Sequence, residues 1–434
     1  MDMIGLKDKI INIYINNFHK SKFQNRSLRK LRNKSISFFD KNIKYTDFYY
    51  VFNDNFILLN DLIINKLKLQ NITSILYYIC SYRLVYIDGM FAPSLSKTSY
   101  KRKEILILSH LFVYKKYNSI IDKYYGQIIY YKHNLSQLNT VFSFDGSYIY
   151  IPDNLLVEKP IQIMYLTTGY NFKYSFIFPR NLIIIGKNAR LNIIESHQSI
   201  YIHNSINISV TEIYSHYNSY LEYFKIKNDI YKSTLIDYTY IIQNSYSFIN
   251  MNTYSFNGFT ITNYLGITHC GEGIISHLNG LTLIEKKSFV SHNIYIDHTY
   301  SQCKSYEFYK GILLGKSYGR FDGKIVVRKN TNKIDAFQIN DNMLLSKESF
   351  INSNPTLNIY SKEVKCSHAC TIGILDDMSL FYLMSRGILE KKAIIYLIIS
   401  FVCDILENIL FVIFKKEIYH IIINKLNVIS KRYL

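Results

Sequence analysis

The chain has 434 residues, 48% of them hydrophobic, enough to bury a large core and to exclude a disordered protein. Its formal net charge of +19 raises nucleic acid or an anionic membrane as partners, yet no Arg-Gly repeat, zinc-finger spacing or RNA-recognition motif accompanies that charge. Lys, Asn, Ile and Tyr are abundant throughout and Trp is absent beside 41 Tyr, so the charge reads as AT-rich codon drift, not as a binding surface.

Six cysteines, at 80, 270, 303, 366, 370 and 403, form neither a dense framework nor a CxxC pair, which points to a reducing compartment. The opening MDMIGLKDKIINIYINNFHKS carries acidic residues and a helical apolar period, so neither a secretory signal nor a plastid transit peptide is expected. Residues 1–130 read as a mixed, mostly helical region: Ile4, Leu6, Ile10, Ile13, Tyr14 and Phe18 recur at helix-like spacing, as do the apolar positions of 57–69. Within this region RLVYIDGMF, 83–91, predicts a strand, an Asp-Gly turn and a second short strand.

From 131 to 370 the chain is a series of short β-branched and aromatic runs, such as SYIYIP, LIIIG, INISVTEI and GKIVVR, separated by Asn, Asp, Gly and Ser. Helical periods are nearly absent, which predicts stacked strands; a sandwich, a barrel and a parallel β-helix all satisfy the pattern. Glycines at 311, 315, 319 and 323 suit tight corners between strands. Gly315-Lys316-Ser317 is not a phosphate-cradling loop, because residue 310 is Lys and strands follow. His269, His277, His292 and His298 are expected to pack and hydrogen-bond along strands, and Cys303 to be a small buried filler.

Residues 355–388 are where strand gives way to helix. Leu357 and Ile359 alternate with polar neighbours, Asp376 and Asp377 offer N-cap oxygens, and Gly387 stands where a helix would stop. Cys366, Ser367 and His368 therefore lie at the mouth of the β-domain, and Cys366 shares a face with His368 if the strand continues through both. Imidazole and thiolate are both good ligands for iron, so Cys366 and His368 make a plausible half-site. Residues 371–434 read as helical, and 394–414 is almost continuously apolar. Asp404 and Glu407 near its middle would each cost about 2.5 to 3.5 kcal/mol at a bilayer centre, which favours a buried amphipathic helix pair over a membrane span.

The matching positions Leu357, Ile359, Tyr360, Val364, Lys365, Cys366, Ser367, His368, Thr371, Gly373, Asp376 and the run LFYLMSRGI resemble the C-terminal signature of the SufB/SufD family of the SUF iron–sulfur cluster assembly machinery, in particular its SufD members. KNIKYTDF at 41–48, RLVYIDGMF at 83–91, and the segments 144–166, 180–197 and 291–328 are similar to other parts of that family. The departures are Ile43 for a tryptophan, Ala369 and Cys370 for Gly-Ala, and Met384 for an arginine.

The resemblance implies a mainly β fold, with a right-handed parallel β-helix core flanked by an N-terminal α/β region and a C-terminal helical region. It implies a non-catalytic scaffold subunit that pairs with a SufB-like protein through the β-helix and with a SufC-like ATPase through the C-terminal helices. An iron–sulfur cluster would be assembled transiently at the partner interface, with no tightly bound cofactor expected. His368 matches the family's proposed ligand, with Cys366 as a second metal ligand. In the segment QINDNMLLS, Ile339 stands where SufB carries a cysteine, which favours SufD; a SufB-like paralogue that carries the cluster itself is the alternative. A β-helix carbohydrate-active enzyme ranks lower, because the chain shows no export signal, no catalytic carboxylate cluster and no Ser-His-Asp triad. The expected location is cytoplasmic, with a plastid stroma as alternative.

Overall fold

The computed structural model describes residues 26–42, 81–98, 105–110, 112–113, 118–128, 133–168, 174–200, 204–229 and 232–433. The expected helices near residues 4–18 and 57–69, and all but the first two residues of KNIKYTDF, lie outside them.

Two large sheets face each other, and the chain alternates between them strand by strand. The first stacks Tyr82–Ile87, Ile161–Thr167, Arg190–Ser199, Tyr220–Asn228, Phe248–Asn257, Ile275–Ile284, Lys304–Leu313, Ile334–Leu344 and Val364–Gly373. The second stacks Ser147–Ile151, Arg180–Ile185, Asn204–Ser215, Ser233–Gln243, Thr260–His269, Phe289–His298, Tyr318–Val327 and Phe350–Ile359. All neighbours in these two stacks run parallel, and partners sit one coil apart in sequence, as Phe248 with Ile275 and Lys304 with Asp335. This is a parallel β-helix, as the resemblance implies, and strand rungs rise about 4.8 Å per coil.

Why the coils stack in register is visible at their corners. Asn188, Asn218, Tyr246, Gly273, Gln302 and Lys333 adopt positive φ at the same corner of successive coils. Asparagine tolerates that conformation better than most residues. Its side chains also form a ladder, Asn218 Nδ2 donating to Asn188 Oδ1 (2.8 Å) and Asn188 Nδ2 to Asn154 Oδ1 (2.7 Å). Ring stacks such as Phe289, Tyr318 and Phe350 repeat along the outer wall, with centroids 5.2 and 5.5 Å apart.

The N-terminal end of the helix is closed by antiparallel additions. Met90–Phe91 folds back on Tyr82–Ile87 through Asp88 and Gly89, both at positive φ, and Leu106–Ser109 pairs antiparallel with Ser147–Ile151. Asn134–Phe142 covers the outside of the second sheet, where Asn139 Nδ2 donates to the carbonyls of Pro179 (2.9 Å) and Ile208 (2.7 Å).

The C-terminal helices Glu390–Glu407 and Val412–Tyr433 form a hairpin across the outside of the first sheet. Ile394, Ile398, Val402, Ile405, Phe414, Ile418 and Ile422 pack on outward residues including Phe224, Ile226, Tyr254, Leu281 and Ile312. The apolar run at 394–414 is therefore largely consumed inside this chain as a buried helix pair. Among the described residues no helix is long and apolar enough to cross a membrane.

Of the four evenly spaced glycines, only Gly315 is a corner, at φ +66°. Gly311 and Gly323 lie within strands, where a Cβ would run into the Asn342 and Gln338 side chains. They make interior room instead of turns.

Candidate functional site

The C-terminal end of the β-helix is open. Among the described residues, Val364–Gly373 and Phe350–Ile359 are the last rungs of their sheets, each paired on one side only. Both expose rows of unpaired backbone N–H and C=O groups, the usual template for pairing with another chain. Pro355 sits in one of them, a position proline tolerates at a sheet edge.

The strand continues through the cysteine and histidine singled out by sequence, so period two sets their directions. Ala336, Gln338, Asn340 and Asn342 are buried and face the interior, while Ile339 between them is exposed. Their register partners on the last rung are Cys366, His368, Cys370 and Ile372, which therefore face the same way. Cys366 and His368 thus share the inner face of the mouth, and Ser367 points outward. Cys366 packs against the interior core, and burial pushes its thiol up. His368 and Cys370 are exposed, since among the described residues no further coil covers them. The last rung therefore carries three potential metal donors in alternate positions, Cys366, His368 and Cys370. Ile339, the residue in place of the SufB cysteine, points to the outer face.

Behind the mouth lies a polar interior column that strand patterns do not reveal. Cys370 follows Asn340, Tyr309, Gly280, Thr253, Lys225 and Glu195 back through the coils. At its inner end Lys225 Nζ contacts Asp237 (2.8 Å), Thr239 (2.7 Å) and Glu195 (3.5 Å), and Lys227 Nζ contacts Asp237 (2.5 Å). Burial alone would raise the Asp237 carboxyl, but the two ammonium groups hold it well below the usual range. Burial likewise disfavours the Lys225 charge, yet Asp237 and Glu195 keep its value above the ordinary one. Nearer the mouth Gln338 Nε2 donates to Glu307 Oε2 (2.6 Å), and burial pushes Glu307 up to about 7.

Just past the mouth the chain turns into the helix Asp377–Ser385. Asp376 caps it, accepting from the backbone N–H groups of Met378 (3.3 Å) and Ser379 (3.0 Å). Gly387 closes it at φ +82°, its N–H bonded to Met384 O (2.9 Å) and that of Ile388 to Leu383 O (3.3 Å). Met378, Phe381 and Tyr382 on this helix are largely exposed.

These features define a parallel β-helix protein whose open end carries Cys366, His368 and Cys370 on the inner face of its last rung. The family model for the SUF system FeS cluster assembly SufBD core domain matches residues 166–401, and that for the SufBD N-terminal region matches 19–163. The chain belongs to the SufBD family of iron–sulfur cluster assembly proteins. It is 28% identical over 335 residues to an iron–sulfur cluster assembly SufBD family protein of Synechocystis, covering 75% of this chain and 74% of the relative. It is 23% identical over 370 residues to iron–sulfur cluster assembly protein SufD of Escherichia coli (85% and 84% covered). It is also 24% identical over 413 residues to SufB of Plasmodium falciparum (92% and 86% covered).

Proposed function

We propose that this chain is a SufD-type, non-catalytic scaffold subunit whose open β-helix end pairs with a SufB-like protein. His368, with Cys366 beside it, contributes ligands to a cluster assembled between the two chains. The observation that carries this reading is the open last rung, where both residues face inward and two ten-residue strands, Phe350–Ile359 and Val364–Gly373, lack a neighbour on one side. The donors suit iron: a neutral imidazole binds as it stands, and the Cys366 thiol loses its proton on binding. The cluster is cargo here, and the chain's part is to present ligands and exclude a competing partner geometry. Ile339 in place of a cysteine supports the SufD-type assignment over a SufB-type one. The exposed Met378, Phe381 and Tyr382, together with the outer surface of the C-terminal hairpin, supply apolar area for a SufC-like ATPase.

The test is co-expression with SufB-like and SufC-like proteins, followed by size-exclusion chromatography and iron and sulfide analysis of the complex. Wild-type chain is expected in a joint complex. His368→Ala should leave the complex and its Tm nearly unchanged while cluster content falls sharply, and Cys366→Ala should do less. A chain that stays alone overturns the pairing. A His368→Ala complex destabilised by about 1 to 3 kcal/mol, as expected for loss of a buried hydrogen-bond partner, or one with undiminished cluster, overturns the ligand role.

A further inference from the structure

Inside one corner of the β-helix, well back from the mouth, three potential ligands converge. His269 and His298 end successive strands of the second sheet and are register partners, and Cys303 closes the corner that follows His298. All three are fully buried, and their ligand atoms lie within 4.8 Å of one another. The two Nδ1 atoms face each other at 3.1 Å, with the rings nearly perpendicular. Two nitrogens bound to one tetrahedral ion at about 2.0 to 2.1 Å stand about 3.3 Å apart, so the separation is already close to that of a chelate.

The outer nitrogens are held as a metal site requires. His269 Nε2 meets Ser276 Oγ at 2.8 Å, and His298 Nε2 meets Ser305 Oγ at 2.9 Å. Ser276 gives its own proton to Gln243 Oε1 (2.6 Å), so it must accept from His269, which puts that ring's proton on Nε2. His298 can place its proton on Nε2 toward Ser305 in the same way. Both Nδ1 lone pairs then point at a common place, each ring oriented by a serine behind it.

We propose that His269, His298 and Cys303 form an interior site for a divalent transition ion that prefers nitrogen and sulfur ligands, of the zinc or ferrous class. The two imidazoles bind through Nδ1, and the Cys303 thiol, which donates to Gly271 O (3.2 Å) without metal, releases its proton to solvent and binds as thiolate. Because all three ligands are buried, the ion enters as the corner closes during folding and ties two consecutive coils together, His269 from one and His298 with Cys303 from the next. The site is separate from the mouth and does not depend on the function proposed there. The bland alternative is a closed hydrogen-bond chain from Ser305 through both histidines and Ser276 to Gln243, with no metal.

The experiment uses the full chain carrying Cys366→Ser, His368→Ala and Cys370→Ser, so that the mouth does not contribute. This protein is refolded with zinc, stripped of loosely held ion by EDTA and dialysis, and analysed for zinc per chain. A parallel sample is refolded with cobalt and scanned for a thiolate-to-cobalt charge-transfer band. The expected result is one retained zinc per chain and a charge-transfer band, both lost on adding Cys303→Ser or His298→Gln while the far-ultraviolet circular dichroism stays that of a β-rich fold. If the serine variant does not fold, Cys303→Ala, which adds no polar atom to the buried site, takes its place. Folded parent protein that retains no zinc overturns the proposal, and so does a Cys303 variant that keeps the ion and the band.

Discussion

Glu307→Gln offers a sharp test of how the interior near the mouth is built. Glu307 is 2% exposed and lies one coil behind Gln338, which in turn lies one coil behind His368. Gln338 Nε2 bonds one carboxylate oxygen, but Glu307 Oε1 and Gln338 Oε1 are both buried with no partner among the described residues. Burial moves the carboxyl from an ordinary 4.5 to about 7, an effect the Gln338 bond only partly offsets. A carboxyl raised in this way keeps its proton in the folded state after the unfolded chain has lost it. Stability is therefore fullest below about pH 4.5, declines between there and about 7, and is level above. The loss amounts to about 3 kcal/mol, taking about 1.4 kcal/mol per pH unit of displacement. Glutamine removes the charge and supplies an N–H that Gln338 Oε1 can accept. Urea unfolding followed by circular dichroism should show the variant more stable than wild type by up to about 3 kcal/mol at pH 8, and by about 1 kcal/mol or less at pH 5. A variant that is less stable at pH 8, or whose advantage is the same at both pH values, would refute this account.

The hairpin and the inner ion cluster can be probed in the same way. Phe414, fully buried with its ring centroid 3.9 Å from that of Phe224, should cost about 3 to 5 kcal/mol when truncated to Ala, and limited proteolysis should then cut within Val412–Tyr433 first. Glu222, pushed up to about 7 by burial, accepts from the Leu410 N–H (2.8 Å); Glu222→Gln should slow proteolysis of the hairpin at pH 8 and change little at pH 5. Asp237→Asn leaves Lys227 without a carboxylate and Lys225 with only Glu195 at 3.5 Å, which should cost about 3 to 5 kcal/mol in chemical denaturation. Replacing Lys225, Lys227, Asp237 and Glu195 together by Met, Met, Leu and Gln should recover most of that loss, because no ammonium or carboxylate of the cluster is then left buried alone.

What could be read in the sequence was what local chemistry determines. The Asp-Gly turn at 88–89, the Asp376 cap and the Gly387 stop each depend on neighbours within a few residues, and all three form. The strand-rich character was equally plain, but strand pattern alone left three β architectures open, and the family resemblance selected the β-helix. Burial direction was not legible. In YLEYFKIKN, Leu221, Tyr223, Lys225 and Lys227 point inward, while Phe224 and Ile226 point outward beneath the helical hairpin. Alternation reports a period of two, but it cannot say which face is the core when both faces are covered. The shared face of Cys366 and His368 followed from that period once the strand was known to run through them. The trio His269, His298 and Cys303 has no recognisable spacing, since coil stacking brings together residues 29 apart, His269 and His298, with a corner cysteine.

The helix Glu390–Glu407 acts as a measured strut. Its 18 residues span about 27 Å at 1.5 Å per residue. It follows the mouth strand through the short helix Asp377–Ser385 and ends where Asn408 reaches Asn250 and Asn279, while Leu410, three residues past its end, reaches Glu222. From Val364–Gly373 back to Tyr220–Asn228 is five rung spacings, or about 24 Å. Helix length and coil number are therefore matched: an inserted coil would carry the mouth about 4.8 Å beyond the helix that braces it. Lengthening the β-helix by whole coils would preserve every internal pairing yet detach the brace, so this chain can tolerate growth at that end only if the helix gains about three residues with each coil.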